Sequence, residues 1–220
     1  MSGVFVTGTG TEVGKTVVAA VIARTAAAQG RRVGVFKPAV SGLGEVRASG
    51  NEADHELLRR AAGSHQSDDE IAPYRYGPPV SPHLGAALAG ETIDPARLRT
   101  AAARASSDTD LLVCEGVGGF LVPLTLEYLV RDLAVDLGHP VVVAASPGLG
   151  TINHTLLTVE SARAAGLEIS SVVLTPWPES PTAIERSNHQ TIERVGGVRV
   201  THLPSLDLSN HESWPGLDVC

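Results

Sequence analysis

The 220-residue chain predicts an α/β domain whose mostly parallel, doubly wound sheet is covered by helices on both faces. Three observations carry this expectation. Short apolar segments rich in Val and Leu alternate with Ala-rich segments of helical length. Aromatic residues make up only 4% of the chain while hydrophobic residues reach 43%, so the core must rest on Val, Leu, Ile and Ala, as a buried parallel sheet does. Glycines punctuate the ends of these segments, where turns and helix caps need them. One domain spanning residues 1–220 accommodates the pattern.

The elements follow in order. Val4-Phe5-Val6 reads as the first strand and runs into a Gly/Thr loop. Thr16 to Gln29 contains no Gly or Pro and predicts a helix, with Gly30 at its C-terminal end. Arg32 to Phe36 is a second strand, which completes a βαβ unit. Asn51 to Ala62 and Asp94 to Ala105 read as helices, and Pro73 to Pro82 between them as a loop near the site. Leu111 to Cys114 is a buried strand ending at Glu115. Leu126 to Leu137 predicts a helix, Pro140 to Ala145 a strand, and Thr151 to Ala165 a helix closed by Gly166. Ile169 to Leu174 is a strand, Pro181 to Val195 a helix, and Val198 to His202 a short strand. From Ser205 onward the sequence has no regular pattern.

The formal net charge of −7 opposes nonspecific binding to nucleic acid or anionic lipid. The first residues lack a basic and then apolar leader, and no apolar run approaches the ~18 residues of a membrane span. Neither nucleic acid nor membrane is therefore an expected partner, and a cytoplasmic location is expected. Cys114 and Cys220 form no disulfide framework and suit a reducing compartment, with Cys114 a buried strand thiol. The eight histidines show no zinc spacing, and no nucleophile elbow appears.

The chemistry concentrates in Gly8-Thr9-Gly10-Thr11-Glu12-Val13-Gly14-Lys15-Thr16. Gly14-Lys15-Thr16 fits the end of a phosphate loop, although Thr9 stands where the strict pattern has Gly. Glycines let successive N–H groups point into one hollow, and the following helix aims its positive end at the same anion. Lys15 can then reach phosphate oxygens and the Thr16 hydroxyl can ligate Mg²⁺. An ordinary Gly-rich turn shares this composition, but its place between the first strand and a helix favours a nucleoside triphosphate site. Glu12, Val13, Gly14, Lys15, Thr16 and Val17 are the candidate contacts.

Ligands of doubly wound sheets sit outside the carboxyl ends of the strands. Glu115 occupies such an end, followed by Gly116-Val117-Gly118-Gly119, and is a candidate Mg²⁺ contact or else a solvated loop carboxylate. Lys37 ends the second strand, where it either snorkels outward or adds a second ammonium near the phosphates. Asp54, on its own position alone, reads as a first-turn helix acid.

Together these segments resemble the dethiobiotin synthetase family. The matching residues are Thr7 to Thr16, Lys37-Pro38, Ser41-Gly42, Asp54, Ser81-Pro82-His83, Glu115 to Gly119, Pro123-Leu124 and Gly150-Thr151-Ile152-Asn153-His154. The resemblance implies carboxylation and ring closure of 7,8-diaminopelargonic acid (7,8-diaminononanoate) with CO₂ or bicarbonate and a nucleoside triphosphate. A carbamate forms, attacks the γ-phosphorus to give a carbamic–phosphoric anhydride, and the second amine closes the ring. The same resemblance implies that Thr16, Asp54 and Glu115 hold Mg²⁺ and that Lys15, Lys37 and Thr11 act on the reacting groups. Ser41 and Ser81 would border the diamine, and Gly116, Val117 and Gly118 the nucleotide. Thr175, Pro176, Pro204, Ser205 and Leu206 would wall the base. Gly150, Thr151, Ile152 and Asn153 would bind the substrate carboxylate across a homodimer interface.

The chain departs from familiar members at three places: Gly10 replaces Asp, Gly148 replaces Lys, and Thr175-Pro176 replaces an Asn-Asp pair that reads adenine. Thr175 has no amide and Pro176 no N–H, so the preferred base is left open. A dimerising ATPase switch would carry Lys-Gly-Gly early in the loop, where Thr9 and Gly10 stand. A corrinoid amidoligase would need a glutaminase domain, for which 220 residues leave no room.

Overall fold

The computed structural model describes residues 2–44 and 52–219. The first half of the chain contains β1 (Ser2–Gly8), α1 (Lys15–Ala28), β2 (Val33–Phe36), β3 (Ala39–Val40), α2 (Asp54–Ala62), α3 (Asp68–Ile71), β4 (Tyr74–Arg75), α4 (Pro82–Leu88) and α5 (Pro95–Ser106). The second half contains β5 (Leu111–Glu115), β6 (Pro123–Thr125), β7 (Tyr128–Leu129), α6 (Val130–Leu137), β8 (Val141–Ala145), α7 (Thr151–Ala164), β9 (Ile169–Trp177), α8 (Ala183–Gly196) and β10 (Val200–Pro204). Among the described residues, six strands form one sheet in the order β10-β9-β8-β1-β5-β2, and every neighbouring pair runs parallel. The expected fold class is the observed one. From β1 the chain first crosses to β2 at one edge, returns with β5 between the two, and then continues on the other side of β1 with β8, β9 and β10, so β1 lies at the reversal where such sheets bind ligands.

Period-two alternation divides the core into two layers. Phe5, Leu112, Cys114, Val143 and Leu174 face Leu98, Leu133, Val159 and Ile192 from α5 to α8. Val4, Val6, Val113, Val142 and Val173 face Val18 and Val21 of α1 and Leu58 of α2. At ~25 cal/mol per Å² of apolar surface, these two layers supply most of the driving force for folding. Gly34 is required on β2, because a Cβ there would lie 2.0 Å from the Ala105 carbonyl oxygen at the end of α5.

Several local expectations change. The helix expected from Leu126 starts only at Val130, because Pro123–Thr125 and Tyr128–Leu129 pair antiparallel around a turn. Leu124 is buried on β6, whereas Leu126 lies in the turn between the two strands and is 80% exposed. The Leu129 N–H then donates to the Asp132 carboxylate and opens α6. Similarly, α8 begins at Ala183 rather than Pro181, capped by Thr182 with Glu185. The expected loop Pro73 to Pro82 contains β4, paired with β3, and ends on the first residue of α4. The strand expected to stop at Leu174 runs on to Trp177. Helix α2 begins at Asp54; Asn51, the expected start, lies outside the described residues, as do Met1 and Cys220. Cys114 is fully buried. The segment after Ser205 is largely irregular, with one 3₁₀ turn at His211–Ser213. It nonetheless packs Trp214, Leu217 and Val219 against the layer formed with α1 and α2.

Candidate functional site

The loop from β1 to α1 is shaped by backbone freedom. Gly14 adopts φ 85° at the start of α1, and no side chain caps the helix. A Cβ on Gly14 would lie 2.6 Å from the Thr175 methyl carbon, so strand β9 is pressed against the loop there. A Cβ on Gly8 would strike Val13 at 2.6 Å and Lys15 at 2.8 Å. The uncapped first turn and its dipole therefore face the loop hollow. The Lys15 ammonium spans that hollow and donates to the Gly10 carbonyl oxygen at 2.7 Å. Burial, with Lys37 nearby, pushes Lys15 down to about 8 against the pull of Glu115 and Asp54.

Parallel pairing brings the remaining charges together. Phe36 of β2 is in register with Cys114 of β5, so the next residues, Lys37 and Glu115, leave adjacent strands side by side. The Lys37 ammonium lies 2.5 Å from Glu115 Oε1 and 2.9 Å from Asp54 Oδ2. The Thr16 hydroxyl donates to the same Glu115 oxygen at 2.8 Å. Lys37 is 3% exposed and Glu115 is fully buried. Burial opposes the Lys37 charge, but Glu115 and Asp54 outweigh it and hold the ammonium above its ordinary value. Burial likewise pushes the Glu115 carboxyl up, against the opposing pull of Lys37 and Lys15. Glu115 Oε2 is buried with no hydrogen-bond partner. The Thr16 hydroxyl and the Asp54 and Glu115 carboxylates, the latter with its orphaned Oε2, form a hard-oxygen donor set that fits Mg²⁺.

A cavity of about 660 Å³ opens beside this cluster. Of the sequence-derived candidates, Thr11, Glu12, Gly14, Lys15, Thr16, Val17, Lys37, Ser41, Asp54, Ser81, Glu115, Val117 and Gly118 line it. The other candidates do not. Val13 packs on the core layer formed with α1 and α2, and Gly116 is buried against Val130 and Phe5. Thr175 is buried behind Gly14, and Pro176 follows it on β9. Pro204 ends β10 beside Trp177, Ser205 is exposed, and Leu206 packs on the core layer.

The cavity also takes Glu52, Pro79, Val80, Val122 and Leu208, which sequence reasoning passed over. The Pro-rich stretch did signal a loop near the site. Leu208 had no such signal, since it arrives on an irregular segment. Arg60 holds that segment by donating to the Leu208 carbonyl and pairing with Glu52.

A second region lies at the β8–α7 junction. Gly150 adopts φ 89° and α7 starts without a side-chain cap. The Thr151 N–H donates to Gly148 and its hydroxyl pairs with Thr155, while Ile152 and Asn153 continue the first turn. The Asn188 amide donates to the carbonyls of Pro147 and Gly148 at 2.8 and 3.0 Å, fixing this loop from α8. Nearby, an apolar groove of about 370 Å³ is lined by Phe120, Leu121, Val122, Pro123, His154 and Leu157, among others. Val122 lines both cavities. Among the described residues, no helix is long and apolar enough to cross a membrane.

Known proteins resemble this arrangement at two levels. The AAA_26 family model, an AAA domain, matches residues 2–213. An ATP-dependent dethiobiotin synthetase of Bacillus subtilis (strain 168) is 36% identical over 91% of this chain and 85% of its own length. One from Anaeromyxobacter dehalogenans (strain 2CP-C) is 44% identical over 94% of this chain and 89% of its own. Among solved structures, the septum site-determining protein MinD complexed with Mg-ADP from Pyrococcus horikoshii aligns with a TM-score of 0.53 at 16% identity, covering 92% of this chain and 81% of that one. The cell division protein FtsY of Thermotoga maritima gives a TM-score of 0.53 at 13% identity over 99% of this chain, which spans 65% of the FtsY chain. These structural likenesses concern the fold.

Proposed function

Because this chain belongs to the family of ATP-dependent dethiobiotin synthetases, we propose that it closes the ureido ring of dethiobiotin from 7,8-diaminopelargonic acid, CO₂ and a nucleoside triphosphate, as a step of biotin biosynthesis. The observation that carries the residue assignments is the convergence of buried Lys15, Lys37 and Glu115 with half-buried Asp54 beside the phosphate loop.

An amine of the substrate adds CO₂ and loses a proton to give a carbamate. A carbamate oxygen then attacks the γ-phosphorus, and the bond to the β-phosphate oxygen breaks. The second amine attacks the carbamoyl carbon, and phosphate leaves with the former carbamate oxygen. The difficulty is electrostatic, since an anionic nucleophile approaches an anionic triphosphate. Mg²⁺, held by Thr16, Asp54 and Glu115, supplies further positive charge there when bound. Lys15 reaches the phosphates from the first turn of α1, and Lys37 stands across the cavity to stabilise charge on the transferring group. Thr11 and Ser41 hydrogen-bond the reacting amine end, with Ser81 beside them. The residues 116–118 turn borders the nucleotide, and the ends of β9 and β10 stand at the base, whose identity Thr175 and Pro176 help to set.

The far carboxylate of the substrate binds at the N-terminal turn of α7, residues Gly150 to Asn153, contributed by the second subunit of a homodimer. Its support is the exposed apolar surface around that turn, with Leu121, Leu149 and Leu157 at 53%, 95% and 56% exposure. The whole chain works as one domain in the cytoplasm.

Incubation with the diamine, bicarbonate, Mg²⁺ and nucleotide tests the assignment. Release of phosphate together with dethiobiotin, both dependent on the diamine, is the expected result. Phosphate release indifferent to the diamine would instead indicate an ATPase switch. The same assay across a panel of limiting nucleotides identifies the base.

A further inference from the structure

We propose that Lys37 is a built-in counter-ion of the metal site: its ammonium and the divalent cation compete for the same Asp54 and Glu115 oxygens, and Lys37 is released toward the reacting groups only when the cation replaces it. The inference rests on the reading that Thr16, Asp54 and Glu115 receive the cation.

The geometry points this way because the ammonium already stands between the two carboxylates, at 2.5 and 2.9 Å. Divalent cations of the Mg²⁺ type approach carboxylate oxygens to about 2.0–2.1 Å. A cation bound to Glu115 Oε1 with Lys37 still in place would therefore set like charges a few ångströms apart beside two buried side chains, where screening is weaker than in bulk solvent. Thr16 reinforces the argument. Its hydroxyl donates to the same Glu115 oxygen and is thereby held on the ammonium's arrangement of the cluster. Glu115 Oε2 keeps an unused buried acceptor beside it.

The backbone defines what can move. The Lys37 N–H donates to the Ile71 carbonyl at 2.8 Å, and Pro38 follows. Displacement of the ammonium is thus a rotation of the four-carbon stem, and the 660 Å³ cavity that Lys37 lines gives it space. Lys15 parks differently, on the uncharged Gly10 carbonyl, so its release does not require a competing cation. The two lysines of the site would then engage by different triggers, the anion for Lys15 and the cation for Lys37.

The test is binding of Mn²⁺ alone, without nucleotide, to the full chain, read by electron paramagnetic resonance. Lys37→Gln should bind Mn²⁺ about tenfold or more tightly than wild type, because it deletes the competing charge. Adding Glu115→Gln to that variant should abolish the gain. Equal or weaker binding by a folded Lys37→Gln overturns the proposal. Should that variant fail to fold, the ¹⁵N signal of the Lys37 side chain in wild type decides: it shifts on saturation with Mg²⁺ if the ammonium is displaced, and an unmoved signal overturns the proposal. Failure of the underlying reading is distinguishable, since Glu115→Gln would then leave Mn²⁺ affinity of the nucleotide-loaded protein unchanged.

Discussion

The chain uses one local device twice, with opposite surroundings. The β1–α1 and β8–α7 loops both enter a 14-residue helix through a left-handed glycine, Gly14 at φ 85° and Gly150 at φ 89°, without a side-chain cap. At the first loop a Cβ on Gly14 would collide with Thr175 at 2.6 Å, and Lys15 is 7% exposed. At the second, nothing lies within 4 Å of a Cβ on Gly150, and Leu149 is 95% exposed. Equal helix ends thus become unequal sites. The enclosed one buries Lys15, Lys37 and Glu115, so solvent screens these charges less than it would at an open loop. The open one offers donors beside apolar surface and needs a further surface to exclude water from it.

The largest expected difference is in turnover. Lys37→Ala should lower kcat by ~10²-fold or more through loss of a transition-state donor at the enclosed site, while Leu149→Ala should stay within about twofold. Steady-state rates for both variants check this, and a Lys37→Ala enzyme within twofold of wild type would take Lys37 out of the mechanism.

Glycine substitutions come next. Gly150→Ala should cost about 1–2 kcal/mol for placing Cβ at positive φ. Gly14→Ala adds a clash with Thr175 and should cost ~1–3 kcal/mol more. Urea unfolding of the two variants measures the gap, and equal losses would remove the distinction between a packed and an open loop.

The open region should respond to charge instead. Leu157→Asp places a carboxylate on the exposed apolar face and should weaken self-association about tenfold or more, read by sedimentation equilibrium. A dimer that ignores this change would put the interface on another face. The smallest effect is expected for Asn188→Ala, which frees the Pro147–Gly148 loop. It should raise KM for the diamine a few-fold, by roughly 1 kcal/mol for lost hydrogen bonds, with KM for the nucleotide unchanged. Parallel increases in both would mean that Asn188 supports the fold generally.

Legibility followed the range of the interactions. The phosphate loop and α1 could be read because glycine freedom and an uninterrupted Ala/Val run are local properties. Leu126 was misplaced because a two-residue hairpin strand leaves too short a period to tell from a helix. Asp54 reads alone as an ordinary helix acid, and only the family resemblance suggested more. Its contact with Lys37 depends on how α2 docks on the sheet. Glu52 and Leu208 entered the cavity through Arg60, which joins α2 to a segment without secondary structure of its own.

By itself the sequence determined the six strands of the main sheet and the longer helices between them, the sheet class and the presence of a triphosphate loop, since hydrophobic period and backbone freedom act over a few neighbouring residues. The tertiary structure decided that Lys37 and Glu115, 78 residues apart, meet at 2.5 Å, because parallel register between β2 and β5 sets their ends side by side. It also decided which glycine-led helix would be enclosed and which left open, because enclosure depends on the strands and loops packed around each helix start, which no local pattern encodes.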